Sequence, residues 1–172
     1  MPPPVDVPIG VHLTRVARSA SRAFDAALVE AGGSQPTWSV LIALKTRPTA
    51  SQRQLAAAVG IRGATLTHHL DAMESAGLVT RRRDPANRRV HIVEMTEAGE
   101  ATFHRLRTAA QAFDRRLRSG LSGEDVAQLA ALLTRVQQNV GGTDGSGGMA
   151  EVAVTDRFRP VGSSDPPGEP RA

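Results

Sequence analysis

The chain contains no cysteine and no tyrosine among its 172 residues. Without cysteine there is no disulfide, no thiolate metal site and no thiol to act as redox sensor or nucleophile. Aromatic residues make up 3% of the chain, so Leu, Val and Ala must fill most of any core. Lysine is nearly missing as well: Lys45 is the one lysine in a basic total of 21. No apolar run approaches the ~18 residues of a membrane-spanning helix. The opening Met1-Pro2-Pro3-Pro4-Val5-Asp6 lacks the basic and apolar regions of a signal peptide. Both absences point to a cytoplasmic protein with no membrane partner. Glycine-rich phosphate loops, Ser/His/Asp constellations and paired carboxylates are also missing, which argues against an enzyme and against a bound cofactor.

What is present is charge, and it is unevenly spread. The formal net charge is +4. With no Tyr or Cys and a single Lys, almost nothing titrates between His and Arg, so this charge persists to high pH. Residues 141–172 hold three Arg against five acids, which leaves residues 1–140 at about +6. Within that, Arg81 to Arg89 concentrates five arginines around one acid, Asp84. A genome rich in G and C favours Arg over Lys, but does not cluster it.

The expected architecture is mainly α-helical with a small β-hairpin. Residues 1–8 are proline-rich and expected to be a disordered arm. Leu13, Val16, Ala20, Phe24 and Leu28 recur every three or four residues, predicting an amphipathic helix over 9–31, ended by Gly32-Gly33. Pro36 suits the first turn of a second helix bearing Trp38, Leu41 and Leu44. Ser51 and Gln54 form a capping-box pattern for a short third helix that stops at Gly60. A fourth helix fills Arg62 to Ala76, with Leu66, Leu70 and Met73 inward. Leu78-Val79-Thr80 and Val90-His91-Ile92-Val93 flank Asp84-Pro85-Ala86-Asn87 and read as a two-stranded hairpin. Thr96 caps a long fifth helix and Ser122 a sixth. Their seams, Phe103-Leu106-Ala110-Phe113-Leu117 and Val126-Leu129-Leu133-Val136-Val140, alternate threes and fours. Residues 141–172 are rich in Gly, Ser and Pro and are expected to be a disordered tail.

The third helix is too short to stand alone and needs the fourth packed across it. A glycine-containing link between two such helices is the pattern of a helix-turn-helix. With Leu66, Leu70 and Met73 inward, the opposite face carries Arg62, Gly63, Thr65, Thr67, His68 and His69, groups that can meet base edges in a major groove. The plain alternative is a solvated helix face. The arginine hairpin that follows favours the first reading. Arg88 and Arg89 sit at its tip, where a narrow minor groove attracts arginine. Arg81, Arg82 and Arg83 lie on the strand leading there, placed for phosphates, and Asp84 is expected to pair with a tip arginine and fix the turn.

The stretch Leu55 to Gly99 resembles the MarR-type winged-helix regulators. The resemblance rests on Gly60-Ile61, Thr65-Leu66-Thr67, Leu70-Asp71, Met73-Glu74, Gly77-Leu78-Val79, Arg81, Asp84 with Arg88-Arg89, and Met95-Thr96-Glu97-Ala98-Gly99. It extends over roughly 9–140, with the winged helix-turn-helix at 36–96 and dimerisation helices at 9–31 and 97–140. The chain departs at Asn87, where an acid commonly precedes the arginine pair, and at His69, where an apolar residue is common. The resemblance implies a homodimer that binds a palindromic operator in double-stranded DNA and releases it when a small-molecule effector occupies a pocket beside the dimer helices. Independently of the resemblance, the seams carry more apolar face than one small lobe can bury. Leu13, Phe113, Leu117, Val126, Leu129, Leu133 and Val136 are the dimerisation candidates. His12, Arg15 and Trp38 are candidates for the effector pocket, the alternatives being core for Trp38 and solvent or dimer rim for the other two. A metal-responsive regulator using His12, His91 and His104 finds no ligand spacing to support it. A sequence-blind architectural DNA protein is the remaining alternative.

Overall fold

A computed structural model describes residues 7–48, 50–87 and 90–141. The assignments made for the first six residues, Arg88, Arg89 and the tail from 142 onward lie outside the described residues.

The first helix, α1 (Ile9–Glu30), ends on a turn with Gly32 at φ +81°. The chain then enters α2 (Gln35–Thr46), whose cap Ser34 accepts the Thr37 N–H at 3.3 Å. Pro36 stands in the first turn, where no N–H partner is needed. The side chain of Asp25 accepts the Gln35 N–H and ties the two helices at this corner. Next come β1 (Ala50–Ser51) and α3 (Gln52–Val59), which opens with a complete capping box between Ser51 and Gln54. Gly60 takes a left-handed conformation, φ +73°, which L side chains rarely adopt. That turn delivers the chain into α4 (Gly63–Ser75), with Arg62 as an extended cap residue.

Two strands follow, β2 (Val79–Arg83) and β3 (His91–Met95), then α5 (Glu97–Leu117) and α6 (Gly123–Val140). The hairpin expected from the sequence is in fact part of a three-stranded antiparallel sheet, ordered β1-β3-β2. Ala50 pairs with Val93 and Ser51 with Ile92, so β1 joins across more than forty residues of chain. A two-residue strand shows no alternating pattern, which is why it escapes sequence reading.

The core is aliphatic. Leu28, Val40, Leu41, Leu44, Leu55, Leu66, Leu70, Val79, Val93 and Leu106 are essentially fully buried. They bring α1, α2, α3, α4, the sheet and α5 to one centre. Trp38 stacks on Phe103 at its edge, with centroids 5.5 Å apart.

The sheet hands over to α5 through a tight junction. The Thr96 hydroxyl donates to the Gly77 carbonyl and accepts the Gly99 N–H, while the Thr96 N–H donates to the Leu78 carbonyl. Gly99 packs so closely that a Cβ there would lie 2.1 Å from the Leu78 carbonyl oxygen and 2.7 Å from the Met95 Cγ. The backbone contact leaves no room for relaxation by a flexible side chain alone. Gly99→Ala is therefore expected to destabilise the fold by about 1–3 kcal/mol or more, the usual scale for overpacking. Gly63→Ala, whose added Cβ meets nothing within 4 Å, should be close to neutral. Urea unfolding of the two variants at one protein concentration checks both.

Candidate nucleic-acid interface

The outward surface of α4 is decided by what its inward surface buries. Leu66, Leu70 and Met73 point into the core. The residues left exposed are Gly63, Ala64, Thr65, His68, Asp71, Ala72 and Ser75. Thr65, His68, Ala72 and Ser75 follow one another at three- and four-residue steps, and Ala64 lies four residues before His68, so the five form one stripe along the helix.

Several polar side chains of α4 are engaged within the protein. Thr67 donates to the Gly63 carbonyl at 2.9 Å and meets the Gln52 amide at the start of α3. It was a candidate base reader on sequence. The structure instead makes it a brace that sets α4 against α3. Asp71 and Glu74 are both engaged by Arg81, whose guanidinium reaches a carboxylate oxygen of each at 2.6 Å. The Arg81 N–H also donates to Glu74, so β2 is fastened to the far end of α4 through backbone and side chain together. His69 is half-buried, its ring 6.0 Å from that of His68.

The arginines of β2 therefore divide. Arg81, expected at phosphates, is occupied by two carboxylates. Arg82 makes a two-point contact with Glu94 on the neighbouring strand and is nonetheless half-exposed. Arg83 is exposed and makes no ion pair among the described residues. Beyond it, the Asp84 carboxylate accepts the Ala86 N–H at 2.8 Å, and the Asn87 N–H bonds the Asp84 carbonyl. This Asp-headed turn starts the wing. The expected pairing of Asp84 with a tip arginine lies outside the described residues.

Sequence reading did not single out Arg53. It sits in the first turn of α3 beside Gln52, is exposed, and has no ion pair among the described residues; Arg62 at the cap of α4 shares both properties. An exposed basic residue in the first turn of the supporting helix was the available signal.

The pocket candidates are not brought together. Trp38 is 7% exposed and belongs to the core, against Phe103. His12 and Arg15 are exposed on the first turns of α1. Arg15 is about 15 Å along the helix from Asp25, where α1 meets α2. The dimerisation candidates lie at the other end of the burial scale. Leu117, Leu129 and Leu133 are exposed, Leu13, Phe113, Val126 and Val136 half-buried, and α6 has no buried residue at all. Among the described residues no three His, Asp or Glu side chains gather into a group able to hold a metal ion. No helix among them is long and apolar enough to cross a membrane.

A short helix, a left-handed glycine turn, an exposed second helix and an arginine-bearing sheet define a winged helix-turn-helix protein. Residues 34–91 match the model of the MarR family. The full described architecture is shared with a MarR-family transcriptional regulator from Rhodococcus sp. RHA1, at 29% identity over 74% of this chain and 91% of that one, TM-score 0.64. It is shared also with the transcriptional repressor CouR bound to a 23-mer DNA duplex, at 28% identity over 75% of this chain and 92% of that one, TM-score 0.68. BpsR of Bordetella bronchiseptica, whose DNA binding is regulated by 6-hydroxynicotinic acid, has the same fold at 21% identity over 80% of this chain and 98% of that one, TM-score 0.67. Over residues 34–91, and in the fold around them, the chain is similar to the MarR family of transcriptional regulators.

The Arg81 clamp carries a pH signature. Arg81 holds the Glu74 carboxyl below its ordinary 4.5. A carboxylate with a lowered folded-state pKa adds stability above its unfolded value, and that stability is lost as pH falls through the folded one. Arg81→Ala should therefore flatten the fall in unfolding stability as the pH drops below 4.5, as read by urea titrations at several pH values. An undiminished slope in the variant would show that the clamp contributes nothing.

Proposed function

We propose that the protein is a homodimeric repressor that binds a palindromic operator in double-stranded DNA and releases it on binding a small-molecule effector. The exposed stripe of α4, with Arg53, Arg62 and Arg83 lacking an ion pair among the described residues, is the observation that carries this reading. In it, α4 enters the major groove with Thr65 and His68 toward base edges, and His69 at the margin. Arg62 with Gly63 brings the helix start close to the backbone. Arg53, Arg82 and Arg83 meet phosphates, while Arg88 and Arg89 reach the minor groove from a wing shaped by Asp84 and Asn87. The DNA-bound structure of CouR, which is 28% identical, supports double-stranded DNA as the partner.

Support for the dimer comes from α6. A helix with Leu129, Leu132 and Leu133 each more than two-fifths exposed has a seam that a single chain leaves in water. A two-fold partner covering it, with Leu13, Phe113, Leu117, Val126 and Val136 joining the contact, sets two recognition helices about 34 Å apart, one DNA turn. The effector part rests on the family resemblance, with exposed His12 and Arg15 as its candidate contacts. Gel shifts against the region upstream of its own gene, repeated with small aromatic acids and neutral drugs, test the reading as a whole.

Two variants test its parts. Replacing Arg88 and Arg89 with Ala should weaken binding to every duplex and lower the slope of log K against log salt by roughly one to two units. An unchanged slope removes these arginines from the contact with DNA. Replacing Leu129 and Leu133 with Asp should give a monomer in sedimentation and cost the cooperative binding of two half-sites. A variant that remains a dimer would place the interface elsewhere.

A further inference from the structure

Residues Gly63–Ser75 contain no Arg, Lys, Asn or Gln, the side chains that make two-point hydrogen bonds to guanine or adenine in the major groove. Three of the seven polar side chains that α4 does contain are engaged within the protein. Thr67 is held by Gln52 and the Gly63 carbonyl, and Asp71 and Glu74 are held by Arg81. What faces outward on the stripe is two alanine methyls, Ala64 and Ala72, the methyl and hydroxyl of Thr65, the imidazole of His68, and the Ser75 hydroxyl in the helix's last turn. Small side chains also let the helix backbone approach the floor of the groove. The start of the helix adds Gly63, where open space surrounds the Cα.

We infer that α4 reads its half-site chiefly through thymine methyl groups, with His68 as the one long polar reader within the helix. The inference rests on the operator-binding reading above and adds the chemistry of the sequence recognised. Each thymine presents a C5 methyl in the major groove, and contact with Ala or the Thr methyl removes both apolar surfaces from water. Ala64 and Thr65 lie one helical turn from His68, which lies one turn from Ala72. The stripe therefore flanks the His68 contact with methyl contacts on both sides. The half-site this favours is a short run rich in T on either strand, interrupted at one base pair read by the imidazole. The guanidinium groups around it, Arg53, Arg62 and Arg83, supply affinity without distinguishing sequences.

The test begins with selection of bound sequences from a random duplex pool by the full-length protein. In the best duplex each thymine is then replaced by deoxyuridine, which removes only the methyl. We expect two or three positions in each half-site to bind about threefold to fivefold more weakly, the effect of losing one buried methyl. Thr65→Ser, which keeps the hydroxyl, should abolish the thymine-over-uracil preference at one of them and leave the others. His68→Ala should erase preference at the intervening base pair while the uracil effects persist. A strongly selected sequence indifferent to uracil at every position overturns the inference and leaves the operator reading standing. Uracil effects untouched by Thr65→Ser overturn the assignment to this face of α4. Failure to select any sequence overturns the operator reading and the inference together.

Discussion

Burial of Leu66, Leu70 and Met73 against the core is the constraint on which the exposed stripe of α4 depends. A helix turned by one residue would present a different set of side chains, and the rotation is held at both ends. At the start, Thr67 braces α4 against Gln52 of α3. At the far end, Arg81 fastens Asp71 and Glu74 to β2. Apolar burial chooses the face and polar braces keep it there. Such a division is economical because braces near the surface add geometry more than stability.

The same braces sort the positive charge. Counting arginines between 81 and 89 overstates what is free to meet a phosphate, since Arg81 is occupied by two carboxylates and Arg82 shares Glu94. Arg53 and Arg62, outside that cluster, have no ion pair among the described residues. The electrostatic footprint of the lobe is therefore broader than the wing. It begins at the first turn of α3 and runs across the start of α4. Arg81 offsets one of the two negative charges of Asp71 and Glu74, which lowers the negative potential beside the same surface.

Outside the lobe, the long helices are unequal. α5 contributes Phe103, Leu106 and Ala110 to the core and stacks Phe103 on Trp38, so it belongs to the lobe as much as to any interface. α6 contributes nothing to the core. Its capping box and acidic first turn favour the helix locally, but its leucines find no cover among the described residues. The contrast gives physical content to a two-part molecule: one set of helices completes a fold, and another keeps its apolar seam exposed among the described residues.

Much of this was legible in the residues alone. The helix boundaries follow from Ser51 with Gln54, from Thr96, from Ser122 with Asp125 and from the glycine stops, because caps and stops are local chemistry written in adjacent residues. The inward triplet of α4 follows from its three-four spacing for the same reason. Three features were decided only by the tertiary structure. The pairing of Ala50 with Val93 joins distant segments too short to show a pattern. Trp38 becomes core because Phe103 of α5 lies against it. Arg81 and Thr67 change role because a charge or hydroxyl reads the same in sequence whether or not a partner folds within reach. Periodicity says which way a side chain faces along its own helix; only the packed chain says what is already holding it.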